Sequence, residues 1–228
     1  MLIIISQYYI SSNLLKNKLS HIDYEIEVIE ILKRLIICLT GMPGSGKSTV
    51  ANLLKEKNFH VIIMGDIIRE KALEKKLELN DENLGKLMKN LRSEYGNGIV
   101  AKLILHKIKK LDDDINFVVI DGIRSYEEFN ILKDLDFVKL LAIHASSNTR
   151  YNHIKLRDRS DSPSSYEKFL QRDKRELEIG ISEAIALSDE VISNNALTIT
   201  EFRNNVEKII SKWIAEFRNF EEKGIITV

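Results

Sequence analysis

The sequence predicts an α/β protein in which a parallel β-sheet is covered by helices on both faces. Five short runs rich in β-branched residues alternate with longer amphipathic helical patterns. Each run is continuously apolar and is bounded by polar residues or glycine, as is typical of parallel strands buried on both faces. The alternation of strands with helices favours parallel strands that are joined by helical crossovers.

The predicted elements follow this alternation along the chain. The strands cover residues 34–39, 60–64, 116–120, 138–144 and 190–193. Helical periodicity of the apolar residues covers 47–57, 66–78, 84–94, 98–110, 126–133, 148–157, 164–187 and 200–220. A chain of 228 residues suits one domain with inserts, and we assign that domain to residues 34–228.

Residues 1–33 precede the first predicted strand and form an amino-terminal extension. The stretch "HIDYEIEVIE" alternates apolar and charged residues as a half-exposed strand does, whereas "VIEILKRL" continues with helical spacing. We expect an appendage that packs loosely or pairs with a sheet edge. The alternative is that translation starts near the first strand, and no chemistry is assigned to the segment.

The composition excludes several classes of function. The 34 Lys and Arg residues are balanced by 34 Asp and Glu residues, so no overall positive charge favours nucleic acid or a membrane surface as a partner. Cys38 is the only cysteine, which excludes a disulfide framework and predicts a buried thiol in a reducing, cytoplasmic compartment. The apolar start "MLIII" is too short to span a membrane. We expect a monomer or a homodimer.

The stretch "LTGMPGSGKSTV", residues 39–50, contains the pattern GxxxxGK[ST] between a strand and a helix. Glycines let the backbone curl, so that its N–H groups and the N-terminus of the following helix face a phosphate. Lys47 is expected to span the β- and γ-phosphates of ATP, and the Ser48 hydroxyl to bind Mg²⁺. The predicted nucleotide-binding residues of this loop are Gly41, Met42, Pro43, Gly44, Ser45, Gly46, Lys47, Ser48 and Thr49.

A second ligand for Mg²⁺ is predicted after the third strand. The run "FVVIDGIRS" places Asp121 behind four apolar residues, the form in which a Walker-B carboxylate is carried to the tip of a strand beside the phosphate loop. The alternative is an Asp-Gly turn that only terminates the strand. Because the chain already carries a phosphate loop, we assign Asp121 to metal binding and catalysis.

Two arginines follow neighbouring strands of the predicted sheet. Arg69 comes after the second strand in "MGDIIREK", and Arg124 after the third in "DGIRS". Ligands of open α/β sheets bind at the carboxyl ends of the strands, and the planar guanidinium group suits a second phosphate. Asp66 is expected to cap the helix after the second strand. We predict that Asp66, Arg69 and Arg124 bind an acceptor.

These motifs resemble those of nucleoside-monophosphate kinases, and in particular those of archaeal adenylate-kinase-related P-loop proteins. The resemblance rests on "TGMPGSGKS", "LRSEYGNGIVA", "DGIRS", "QRDKRELEIGI" and "SDEVISNN", and covers about residues 34–215. It implies a three-layer α/β/α P-loop NTPase fold with a five-stranded parallel sheet of order 2-3-1-4-5. It also implies ATP and Mg²⁺ as cofactors and AMP or another nucleoside monophosphate as acceptor.

The resemblance to adenylate kinases extends to single residues. Their Gly-Asp-hydrophobic-hydrophobic-Arg element matches Asp66 and Arg69, and their element after the third strand matches Asp121 and Arg124. In that family the arginines hold the phosphate of the acceptor. Adenylate kinases usually have Phe-Pro before the second arginine, where this chain has only Ile123. Dephospho-coenzyme-A kinases are similar in the phosphate loop and in "SDEVISNN".

A basic segment over residues 150–175 holds eight Lys or Arg residues against four Asp or Glu residues. Nucleotide kinases use such a lid to stabilise the transferring phosphoryl group and to exclude water. We assign this role to Arg157, Arg159 and Arg172. The alternative is a solvated charged helix whose charges pair with neighbours on the same helix.

The insert between the second and third strands, residues 66–115, corresponds to the acceptor-binding helices of these kinases. Within it, Arg92 and Tyr95 are predicted to contact the phosphate or base of the acceptor, and a purely structural helix–loop–helix is the alternative. Asn194, after the last strand, is predicted to contact ATP, because the corresponding loop of the similar families lines the adenine pocket.

The sequence therefore predicts transfer of the ATP γ-phosphoryl group to a small phosphate-bearing acceptor. One alternative is phosphorylation of a hydroxyl group, as in dephospho-coenzyme-A kinases, with Asp66 as the base. Another is a regulatory protein that binds ATP and AMP with slow turnover. A kinase acting on nucleic-acid ends is disfavoured by the neutral charge and the lack of aromatic-rich basic patches.

Overall fold

The computed structural model describes residues 34–135, 137–156, 163 and 165–225, so the predictions for residues 1–33 lie outside it. The strands within these ranges are β1 (Leu35–Thr40), β2 (His60–Ile63), β3 (Phe117–Ile123), β4 (Phe137–His144) and β5 (Glu190–Ser193). The helices are α1 (Lys47–Glu56), α2 (Met64–Glu74), α3 (Asp81–Tyr95), α4 (Ile99–Ile108), α5 (Tyr126–Leu132), α6 (Ser147–Leu156), α7 (Tyr166–Ile179), α8 (Ile181–Ala186) and α9 (Ile199–Ile225). None of these helices combines the length and the apolar character needed to cross a membrane.

The strands form one parallel sheet in the order β2-β3-β1-β4-β5. Helices cover both faces, so the predicted three-layer α/β/α fold and its strand order are confirmed. β1 lies at the centre, between β3 and β4, and the chain continues from it to strands on either side. The loop after β1 therefore lies at the topological switch point, where open α/β sheets bind ligands.

The side chains of β1 alternate between two apolar clusters, one on each face of the sheet. Leu35, Ile37 and Leu39 pack with side chains of α1 and α9, whereas Ile36 and Cys38 pack with side chains of α2, α3, α4, α5 and α8. All five are at most 1% exposed. Burying an aliphatic side chain of this size contributes about 2 kcal/mol, which explains why the strand is apolar at five consecutive positions rather than at every second one.

Arg34 fixes the chain where it enters the sheet. This residue is 2% exposed, and its guanidinium group donates to the main-chain oxygens of Ile108, Leu111, Asp112 and Ile115 at 2.8 to 3.1 Å. These carbonyls belong to the end of α4 and to the turn that leads into β3. A buried cation is stabilised by such bonds, so Arg34 holds the end of the insert against the sheet.

One predicted helix is divided in the structure, and one strand is longer than predicted. The predicted helix over residues 164–187 is divided into α7 and α8, because Gly180 adopts a φ of 103° and ends α7 in the left-handed conformation. β3 continues to Ile123, beyond the predicted end at residue 120, because its last residue pairs with Thr40 of β1 after an irregularity in the register.

The predicted cap of α2 is wrong. The helix begins at Met64 with Ile63 as its N-cap, and Asp66 lies within the first turn. The hydrophobic strand β2 therefore passes into α2 without a polar cap. A carboxylate in the first turn is favoured by the helix dipole, so Asp66 keeps a stabilising position there without acting as the cap.

Cys38 lies in the middle of β1 and is fully buried, as predicted. Burial raises the pKa of the Cys38 thiol far above its ordinary value, and the charge of Asp189 adds to this effect. The native protein therefore keeps the proton at pH values where an unfolded chain, with a thiol pKa of about 8.5, releases it. The Cys38 thiol therefore contributes fully to the free energy of unfolding below about pH 8.5. Compared with a Cys38→Ala variant, the protein loses this contribution as the pH rises above that value.

We expect Cys38 to react with a thiol reagent such as DTNB at about pH 8.5 only after denaturation, because the thiolate is the nucleophile. The measurement compares the reaction rate of the native protein with that in guanidinium chloride. A native thiol that reacts as fast as the denatured one would contradict the buried position of Cys38.

Candidate functional site

The phosphate loop connects β1 to α1 at the switch point of the sheet. Gly41 begins it with a φ of 142°, and a Cβ atom there would lie 2.2 Å from the carbonyl oxygen of Ile143 in β4. Both the contact and the φ value exclude a side chain at position 41. Gly46, with a φ of 118°, is the N-cap of α1. The curled backbone thus ends at a helix N-terminus, which is the geometry that binds anions.

Lys47 lies across the loop. Its Nζ donates to the main-chain oxygens of Gly41 at 2.6 Å and of Met42 at 3.3 Å. The loop opens into a cavity of about 970 Å³, at the upper end of the range for small-molecule sites. The predicted loop residues that line this cavity are Gly41, Pro43, Gly44, Lys47 and Ser48. The other predicted loop residues, Met42, Ser45, Gly46 and Thr49, are not part of its lining.

Asp121 lies in β3 and lines the same cavity as Ser48. It is 7% exposed, and its neighbours in the sheet are Leu39 of β1 and Ile63 of β2. Hydroxyl and carboxylate oxygens are ligands that Mg²⁺ prefers in proteins. The two predicted metal-binding residues therefore line one cavity and carry the kind of oxygen atom that this ion prefers.

Three of the predicted arginines, Arg69, Arg124 and Arg172, form what we call the arginine wall. They come from α2, from the segment between β3 and α5, and from α7. All three line the phosphate-loop cavity, and all three also line a second cavity of about 490 Å³. The two cavities therefore adjoin at a positively charged boundary.

Carboxylates orient two members of the arginine wall. Arg69 donates through Nη1 to Oδ1 of Asp66 at 2.6 Å, one turn earlier in α2. The guanidinium group of Arg124 lies 3.2 Å from the carboxylate of Glu176 in α7, and Glu176 is 5% exposed. Because paired guanidinium groups have restricted orientations, these contacts help to fix the wall before any ligand is present.

Arg92 of α3 is buried against Glu128 of α5. Nη2 of Arg92 donates to Oε1 of Glu128 at 2.7 Å, and Oε2 of Glu128 accepts the main-chain N–H of Arg124 at 2.8 Å. Glu128 is 0% exposed, and a buried carboxylate of this kind requires such partners. Arg92 therefore ties the insert to the segment that carries Arg124. It also lines the second cavity, and its contact with an acceptor stays a prediction.

Tyr95 lies at the end of α3 and is 53% exposed. A hydrogen bond to Glu94 raises the pKa of its phenol group. Tyr95 lines neither of the two cavities, so the structure does not bring it together with the other predicted site residues.

The predicted lid residues Arg157 and Arg159 lie outside the described residues. Around them, α6 ends at Leu156 and α7 begins at Tyr166. The alternative to the lid was a helix whose charges pair with neighbours on the same helix. Asp173 of α7 pairs instead with a residue of another helix. It accepts two hydrogen bonds from Arg150 of α6, at 2.7 and 2.5 Å, and so joins the two helices.

Asn194 lies behind the phosphate loop. Its Nδ2 donates to the main-chain oxygen of Ser45 at 2.9 Å, and its main-chain N–H donates to the oxygen of His144 at the end of β4 at 2.7 Å. Asn194 does not line either cavity. The hydrogen bond of its side chain is with the backbone of the loop.

Sequence reasoning missed two buried carboxylates, Glu128 and Glu176. Glu128 carried a signal, because Ser125 precedes it by three residues in an S-x-x-E capping box, and the Ser125 hydroxyl accepts the Glu128 N–H at 3.2 Å. Glu176 carried no such signal, because its position in the sequence does not distinguish it from the other charged residues of α7. Its burial depends on contacts with other segments, such as the one that carries Arg124.

Comparison with known proteins identifies relatives over most of the chain. Residues 40–171 match a family described as an AAA domain. The UPF0200 protein of Pyrococcus abyssi is 43% identical over 181 residues, which are 78% of this chain and 96% of that protein. The UPF0200 protein of Hyperthermus butylicus is 38% identical over 179 residues, which are 78% of this chain and 95% of the relative.

Two solved structures share the fold. TT1252 from Thermus thermophilus superposes with a TM-score of 0.54 and 20% identity, over 79% of this chain and 98% of the other. Shikimate kinase from Bacteroides thetaiotaomicron gives a TM-score of 0.53 and 14% identity, over 78% and 98%. At these identities the likeness concerns the fold alone. The sequence matches show that this chain belongs to the archaeal UPF0200 family and contains an AAA domain over residues 40–171.

Proposed function

We propose that this protein transfers the γ-phosphoryl group of ATP to a small phosphate-bearing acceptor, with AMP or another nucleoside monophosphate as the first candidate. The observation that carries this proposal is the arginine wall. Arg69, Arg124 and Arg172 line both the phosphate-loop cavity and the adjoining second cavity. A second phosphate would thus be held beside the first, as direct transfer between two phosphates requires.

The donor side is supported by the phosphate loop and by Lys47. Loop N–H groups and the N-terminus of α1 bind phosphate oxygens in such loops, and the ammonium group of Lys47 lies across the loop backbone. Ser48 and Asp121 would hold Mg²⁺, whose charge offsets that of the phosphate oxygens. Lys47 then stabilises the negative charge on the transferring group.

The acceptor side is supported by the geometry of arginine. A guanidinium group can donate two parallel hydrogen bonds to one phosphate, and Arg124 and Arg69 are each oriented by a carboxylate. Their positive charge would bring two anions together that otherwise repel each other. Arg172, on α7, would neutralise charge that develops between donor and acceptor.

Phosphorylation of a hydroxyl group is the second candidate, and Asp66 is the observation that favours it. Asp66 lines the phosphate-loop cavity, where a carboxylate could accept the proton of a hydroxyl. Its Oδ1 accepts from Arg69, so this base would act through the other oxygen. Transfer to a phosphate needs no base and leaves Asp66 as the residue that orients Arg69, which favours the first candidate.

The test is a panel of acceptors incubated with ATP and Mg²⁺, with the products separated by chromatography. Nucleoside monophosphates are expected to give a diphosphate, whereas dephospho-coenzyme A would give a new phosphate monoester. Binding of ATP and AMP without ADP formation from any acceptor would contradict the phosphotransferase proposal and support a regulatory protein.

A further inference from the structure

Three consecutive main-chain oxygens of the phosphate loop accept hydrogen bonds from side chains outside the loop. The oxygen of Pro43 accepts from Nη1 of Arg150 at 3.1 Å. The oxygen of Ser45 accepts from Nδ2 of Asn194 at 2.9 Å. Between them, the oxygen of Gly44 lies 2.9 Å from Nδ1 of His153, so this ring nitrogen carries the hydrogen.

Peptide geometry converts these contacts into an orientation of the loop. In a planar trans peptide the carbonyl of one residue and the N–H of the next point in opposite directions. A side chain that holds a carbonyl on one side therefore turns the following N–H to the other side. The N–H of Ser45 closes a turn to the oxygen of Met42 at 3.1 Å, and those of Gly44 and Gly46 face away from α6 and from Asn194.

Arg150 is itself held firmly. It is 4% exposed, and besides Pro43 it donates to the oxygen of Ala145, to the hydroxyl of Ser147 and twice to Asp173. These bonds use all five N–H groups of the guanidinium. Its central carbon also lies 5.0 Å from the centre of the Phe169 ring.

Asn194 and His153 are also fixed relative to the sheet and the loop. The main-chain N–H of Asn194 donates to an oxygen at the end of β4. Its Nδ2 lies so close to Gly46 that a Cβ atom at position 46 would be 2.7 Å from it. His153 is one turn after Arg150 in α6. The loop backbone is thus contacted by three anchored donors over three successive peptides.

We propose that Arg150, His153 and Asn194 are positioning residues that pre-organise the phosphate loop for the phosphates of the donor. The inference rests on the proposed function, since it names ATP as the ligand of the loop. None of the three has to touch the nucleotide. They act through the backbone of the loop. Without their hydrogen bonds the peptides of the loop would rotate, and the conformational entropy lost in ordering them would reduce the affinity for ATP.

The test compares His153→Leu, which removes the donor, with His153→Asn, whose amide can replace Nδ1. We expect His153→Leu and Asn194→Leu each to raise the dissociation constant of ATP about tenfold, the size expected for one lost hydrogen bond to a carbonyl that stays desolvated. His153→Asn should stay within about threefold of the original protein. His106→Leu, an exposed histidine of α4, is the matched control and should leave the constant unchanged.

Amide hydrogen exchange over residues 41–48 without nucleotide gives a second readout. Exchange should become faster in His153→Leu and Asn194→Leu and should be restored in His153→Asn. Unchanged exchange and unchanged ATP affinity in both leucine variants would overturn this inference alone. Equal losses in His153→Leu and His153→Asn would assign the side chain to packing and would overturn it as well. An original protein that binds no ATP would instead overturn the proposed function.

Discussion

Replacing Lys47 with alanine is expected to lower the rate of phosphoryl transfer by about 10³-fold at saturating ATP, the magnitude typical of losing one preorganised charge-stabilising donor. The reason is that the Lys47 ammonium group lies across the mouth of the loop, 2.6 Å from the oxygen of Gly41. There it would meet the negative charge that develops on the transferring group. The measurement is ADP formation with the best acceptor of the panel.

Lys57→Ala is the matched control for this experiment. Lys57 follows α1, pairs with Glu207 on the surface and lines neither cavity, so its loss should leave the rate within about twofold. If Lys47→Ala kept the original rate, the assignment of the loop to the donor phosphates would fail.

Replacing Arg124 with glutamine is expected to raise KM for the acceptor by about 100-fold while KM for ATP changes by less than about threefold. A charge-assisted bidentate contact of this kind is worth about 2 to 3 kcal/mol, and each 1.4 kcal/mol corresponds to a factor of ten. Arg124 lines both cavities and belongs to the arginine wall. Initial rates measured at varied acceptor and varied ATP separate the two constants.

The pairing of Arg124 with Glu176 requires a second variant. Removing Arg124 alone takes a partner from a carboxylate that is 5% exposed, so the protein is expected to lose stability as well. The double variant Arg124→Gln with Glu176→Gln removes both charges and should recover the melting temperature but not the affinity for the acceptor. Recovery of both would show that Arg124 acts only through the fold.

The fold was predictable because its signals are local and repeated. Each strand contains a short apolar run, and β1 shows why, since its apolar residues are buried on both faces of the sheet. Some element boundaries were not predictable from the local sequence. β3 continues to Ile123 because Thr40 of β1 pairs with it, and α2 starts at Met64 without the cap that Asp66 was expected to provide.

The site was predictable where a motif fixes the backbone and less so where tertiary packing decides. The phosphate loop, Asp121 and the arginines after β2 and β3 meet in one cavity, because parallel strands end at the same edge of the sheet. The partners of these residues were not predictable. Glu176 reaches Arg124 and Asn194 reaches Ser45 through contacts between segments far apart in sequence, which a single sequence does not reveal.

Arg150 has a consequence for how the two substrates influence each other. The guanidinium group that holds the oxygen of Pro43 also holds Asp173, the residue that follows Arg172 in α7. The phosphate loop and one member of the arginine wall, Arg172, are therefore attached to a single support, and ordering either one partly orders the other. We expect positive cooperativity between ATP and acceptor. By thermodynamic reciprocity, titrations of each with and without the other must give the same factor, and a factor of one would mean that the shared support carries no coupling.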